Sequence, residues 1–105
     1  MVLALTGSAI VSAVNAAEVQ TKLIRDGMTP AEARVDMETC VQTVVAFDAD
    51  QSQLAAGLVK ETHQFGLSLG DRACLALAIA TGCPVYTADR AWAQVQVGVV
   101  VHLVR

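Results

Sequence analysis

Apolar positions run in short blocks along this chain, and the polar residues between them change period from block to block. Ala9 to Val14 is apolar except at Ser12, a pattern that predicts a short strand. Asn15 with Glu18 three residues on reads as a capping box opening a helix whose buried side is Ala16, Val19 and Leu23 and which Gly27 ends. Thr29-Pro30-Ala31-Glu32 opens a second helix, with an N-cap, Pro at the first helical position and Glu at the third. Its apolar stripe is Ala33, Met37, Cys40 and Val41. Val44 to Phe47 is a strand, and Asp48 turns the chain into a helix from about Asp50 to Phe65, closed by Gly66. Ala73 to Ala80 is apolar at every position, which predicts a helix buried on all sides. Gly82 and Pro84 stop it, and Val85 to Ala88 follows as an interior strand ending at Asp89. Arg90 to Gln94 is a helical turn, and Val97 to Val104 is a last strand at an edge.

The order is β, α, α, β, α, α, β, turn, β. Helices alternating with short β-branched strands define an α/β domain, most simply a parallel sheet covered by helices on both faces. In such sheets the working residues lie beyond the carboxyl ends of the strands.

Composition narrows the classes. With 105 residues the chain is one domain, 1-105, and 54% hydrophobic against 16% charged excludes disorder. A net charge of -3 provides no global basic field to attract nucleic acid, so any such contact rests on local cations or metal. Cys40, Cys74 and Cys83 lack C-x-x-C spacing and read as reduced thiols of a cytoplasmic protein. His63 and His102 are isolated, so no zinc motif of the H-E-x-x-H kind is present. Asn15-Ala16-Ala17 faintly resembles a signal-peptidase site but lacks a positively charged leader, and no apolar run reaches the length of a membrane span.

Glu18, Asp71 and Asp89 each follow a predicted strand or open a helix. Each also has a purely structural use: Glu18 in a box with Asn15 or as a partner for Lys22, Asp71 in a box with Ser68, Asp89 as an N-cap. Together they suggest more. A parallel sheet delivers all three to one edge, where carboxylates in contact repel unless a cation offsets them. Oxygen-only ligands suit Mg²⁺ or Mn²⁺, which activate water and stabilise charge on phosphorus. Lys22, Arg25, Arg72 and Arg90 lie beside these acids as candidate phosphate contacts or as ordinary solvated charges.

Three segments resemble the PIN domain and, within it, VapC-type toxins of bacterial toxin-antitoxin pairs. They are Ile10 to Glu18 (IVSAVNAAE), Leu67 to Ala76 (LSLGDRACLA) and Val85 to Trp92 (VYTADRAW), in family order and at about family spacing. The resemblance implies a three-layer α/β/α fold and a Mg²⁺- or Mn²⁺-dependent endoribonuclease. It implies that Glu18, Asp71 and Asp89 hold the metal and act in catalysis, and that Ser12, Asn15, Ser68 and Thr87 are polar supporting residues. It also implies an RNA substrate, a homodimer, and a cognate antitoxin whose tail lies over the site.

In one respect the chain departs from that pattern. The family begins with a strand ending in a metal-binding Asp, and here only Thr6 and Ser8 are polar ahead of Ser12. The expectation is therefore a domain truncated at its N-terminus, lacking the family's first, central strand. Met1 to Leu5 is apolar enough to fill that place, but its link to the next strand is too short for a parallel crossover. Association is the expected remedy, by domain swapping with a second copy or by a strand added from a partner. The alternative function is a catalytically inactive remnant that acts as a dimerisation or antitoxin-binding module.

Overall fold

The computed structural model describes residues 3–5, 9–41, 43–87 and 90–103. Its strands are β1 (Leu3–Leu5), β2 (Ala9–Ser12), β3 (Thr43–Val45), β4 (Val85–Thr87) and β5 (Val101–Leu103). Its α-helices are α1 (Ala13–Arg25), α2 (Pro30–Cys40), α3 (Ala49–Gly57), α4 (Val59–Thr62) and α5 (Leu69–Thr81). Short 3₁₀ turns cover His63–Phe65 and Arg90–Gln94.

One sheet joins the strands in the order β3-β2-β1-β4-β5. β2 pairs parallel with β3 and β4 parallel with β5, while β1 runs antiparallel to both of its neighbours. Four strands therefore share one direction, and the reversed strand lies at the centre. The expected α/β architecture with a mainly parallel sheet is present. What differs is the central position, for which the sequence points to a strand from a second copy or a partner. Leu3–Leu5 fills it within the same chain. The short link that forbids a parallel crossover is sufficient for a reversal, and antiparallel pairing is what results.

The sheet separates two cores. Ala4 is in register with Ile10 on one side and with Val85 on the other, so Ile10 and Val85 share a face and Val11 belongs to the opposite one. Val85 packs with Leu75 and Ala78 of α5 and with Leu58, Trp92 and Val95. Val11 packs with Ala16 of α1 and with Met37 and Val41 at the end of α2. Helices on both faces make the three layers.

Local chemistry sets the helix ends. Thr29 and Glu32 form the expected capping box, and Pro30 occupies the first helical position. The hydrogen bonds from Thr29 hold the Glu32 carboxyl below its usual range. Ser68 and Asp71 form a second box at α5. Gly82 ends α5 in the left-handed region at φ 70°, and its N–H donates to the Ala78 carbonyl.

Within α5, Ala73 to Ala78 are all buried, and the small side chains let α1 and α3 pack closely against the helix. Burial of Leu75 and Leu77 contributes about 2 kcal/mol apiece. Burial stops there, since Ala80 is exposed where the helix emerges from its neighbours.

Several boundaries depart from the sequence reading. α1 begins at Ala13 with Ser12 as its N-cap, so Asn15 lies inside the first turn. The Ser12 hydroxyl accepts from the Val14 N–H at 3.3 Å and leaves Asn15 available for other bonds. The helix expected from Asp50 to Phe65 breaks at Leu58 into α3, α4 and a 3₁₀ turn. Asp48 caps it as expected, accepting from the Gln51 N–H at 3.0 Å. Cys40 is exposed at the end of α2 rather than in its buried stripe. β5 begins at Val101, four residues later than expected, and lies at a sheet edge as anticipated.

Candidate metal centre

Ser12 and Thr87 end β2 and β4, which run in the same direction, so both close on one edge of the sheet. Both are buried, at 0% and 2% exposure, as fits residues that hold a strand end in place. Beyond Ser12 the first turns of α1 project Asn15 and Glu18. The first turn of α5 meets them there, because α5 packs against both α1 and β2.

The contact is close. The Asn15 side-chain amide Nδ2 donates to the Gly70 carbonyl at 2.9 Å and to Glu18 Oε1 at 3.2 Å. Both partners are acceptors, which fixes the amide orientation and turns Asn15 Oδ1 away from them. Asn15 is only 7% exposed, and its Oδ1 is buried with no hydrogen-bond partner among the described residues. An orphaned buried oxygen of this kind carries a desolvation cost unless something meets it. The Glu18 carboxylate lies directly on Gly70, and both of its oxygens stand where a Cβ at position 70 would fall.

Asp71, the next residue, is half-buried. Its Oδ2 accepts from the Ser68 N–H at 2.9 Å, and its own N–H donates to the Ser68 hydroxyl at 3.3 Å. Glu18 and Asp71 thus flank Gly70 at the positive end of the α5 dipole, which favours negative charge there. Burial, and secondarily the Asp71 charge, push the Cys74 thiol up to about 12, so it stays protonated at neutral pH.

The remaining candidates divide. Lys22 pairs with Asp26 at 3.4 Å rather than with Glu18, and both side chains are largely exposed. Glu18, Lys22 and Arg25 line one shallow groove along α1 with Val14, Ala17 and Thr21. Arg90 is exposed. Arg72 is half-buried, and its Nη1 donates to the Ala55 carbonyl at 2.9 Å, which fastens α3 to α5. Asp89 lies outside the described residues, two positions beyond the end of β4.

Sequence reading did not single out Gly70. The available signal was its position: glycine in a helical first turn forgoes about 1 kcal/mol of propensity relative to Ala. Gln51 was also passed over; it is buried at 7% exposure, and its Oε1 has no partner among the described residues.

Among the described residues no group of three or more His, Cys, Asp or Glu side chains is placed to hold a metal. The Glu18 and Asp71 carboxylates are hard oxygen donors of the kind taken by a cation that keeps several of its waters, as Mg²⁺ does. A doubly wound α/β sheet with an acidic, oxygen-rich edge at its strand ends defines a class of domain suited to phosphate-ester chemistry. This chain belongs to the PIN-domain family, whose model matches residues 2–98. No curated protein and no solved structure matches it. PIN domains are generally nucleases and typically use a divalent metal. Among the described residues no helix is long and apolar enough to cross a membrane.

Proposed function

We propose that this PIN domain is a cytoplasmic, Mg²⁺- or Mn²⁺-dependent endoribonuclease of the VapC toxin type. Glu18, Asp71 and Asp89 are the metal-holding residues of this reading. The observation that carries it is the Glu18 carboxylate seated on Gly70, the residue next to Asp71, in the first turn of α5. Carboxylates gathered at one strand-end edge repel, and a cation would remove that cost. A cation held by Glu18, Asp71 and Asp89 would supply an activated water and offset charge on the phosphorus. Asn15 and Ser68 hold the Glu18 and Asp71 carboxylates through their hydrogen bonds, and Ser12 and Thr87 anchor the strand ends. Lys22, Arg25 and Arg90 contact the RNA backbone as exposed cations. Arg72 is a weaker substrate contact, since one of its nitrogens is engaged with Ala55.

By the same resemblance the partners are a cognate antitoxin, whose acid-covering tail blocks the edge, and a second copy of this chain. A swapped central strand is no longer needed for that dimer, because β1 already occupies the place.

Calorimetry with Mn²⁺ tests the reading, paired with cleavage of single-stranded RNA. Glu18→Gln, Asp71→Asn and Asp89→Asn should each weaken binding at least tenfold, and EDTA should abolish cleavage. Unchanged binding in all three variants, or cleavage that survives EDTA, refutes it. Metal binding without any RNA cleavage would favour the alternative of an inactive domain that acts through its partners.

A further inference from the structure

We infer that Gly70 and Asn15 form a seat that fixes the Glu18 carboxylate over the first turn of α5, and that glycine is required at position 70 because any side chain there evicts Glu18. The inference rests on the metal-dependent reading above, but its first readout needs no metal.

Three observations support it. Gly70 is buried within a helix, so no unusual backbone conformation calls for glycine there. The space a Cβ would need is instead occupied by both Glu18 oxygens. Asn15 then closes the arrangement, since its one amide group bonds Glu18 Oε1 three positions on and the Gly70 carbonyl 55 positions on. The two positioning residues act through Glu18 and not on the reaction itself.

The obstructed group is the far end of a flexible side chain, so Gly70→Ala can be accommodated by moving Glu18 alone. Ala is also the better helix former. Stability and metal affinity are therefore expected to part: Gly70→Ala should leave Tm unchanged or raise it, while the site loosens. Asn15→Asp, nearly isosteric, replaces the donor with an acceptor facing two acceptors and should loosen the site as well.

In the metal-free protein, the Glu18 Cδ carbon resonance and hydrogen exchange of the Asn15 side-chain amide report the seat directly. Gly70→Ala should shift the first and accelerate the second at least tenfold. Mn²⁺ calorimetry on the same variants reports the consequence. Affinity should fall at least tenfold in Gly70→Ala, and in a Glu18→Ala background the glycine substitution should have no further effect. Unchanged Glu18 and Asn15 signals in Gly70→Ala overturn the inference. So does a shifted Glu18 whose Mn²⁺ affinity is retained while Glu18→Ala loses it. If Glu18→Ala itself leaves Mn²⁺ binding intact while the metal-free signals move as expected, the seat stands and the metal-dependent reading fails.

Discussion

Replacing Ala4 with proline tests the central strand, the feature that distinguishes this sheet from a uniformly parallel one. Ala4 is in register with Ile10 of β2 and with Val85 of β4, so β1 has a hydrogen-bonded neighbour on each side. On an edge strand a proline can turn its missing N–H to solvent; in the middle of a sheet it cannot. The substitution removes one ladder bond, worth about 1 kcal/mol net, and strands the opposing carbonyl at a further cost of about 1–3 kcal/mol. Ring clash adds to this, so a loss of about 3 kcal/mol is expected, against a total stability of about 5–15 kcal/mol for a domain. At about 4 °C or more per kcal/mol for a domain near this size, Tm should fall by more than about 10 °C. Urea unfolding should show a matching drop in midpoint. Sedimentation velocity should show association as β2 and β4 lose their shared neighbour. A proline variant with Tm within about 2 °C of the parent and unchanged sedimentation would falsify the central placement of β1.

Other perturbations follow from the core and the caps. Leu75→Ala, at a fully buried position of α5, should cost about 2–5 kcal/mol by calorimetric or urea unfolding. Ser68→Ala removes the hydroxyl that caps α5 and should cost about 1 kcal/mol by urea unfolding, while the backbone N–H at position 68 still holds the Asp71 carboxylate, so Mn²⁺ affinity should change little. Cys74 bears on alkaline stability: its thiol is raised from 9.0 to about 12, so the unfolded chain releases that proton first. The contribution is intact below about pH 9 and is lost as pH rises toward 12; Cys74→Ala should flatten that part of the stability curve. At pH 8 a thiol reagent should label exposed Cys40 long before Cys74.

Much of this domain is determined within single segments of the sequence. The boxes Thr29/Glu32 and Ser68/Asp71, the Gly82 stop and the all-apolar run at the centre of α5 depend on neighbours three or four residues away. Such short-range geometry is readable from spacing alone, and alternating α and β segments then imply a sheet covered on both faces. What the spacing does not carry is the direction of a short apolar strand. Leu3–Leu5 runs antiparallel because a link of a few residues permits only a reversal, and it lies centrally because β2 and β4 both lack a second neighbour. The roles of polar residues in the first turns were likewise decided by tertiary contacts. Asn15 reads as the N-cap of α1; Ser12 takes that place, and the approach of α5 draws Asn15 to Gly70. Arg72 reads as a surface cation until α3 presents the Ala55 carbonyl to it. Gly70 is silent in the sequence because its reason lies in Glu18, far away along the chain and in contact only once α1 and α5 have packed together.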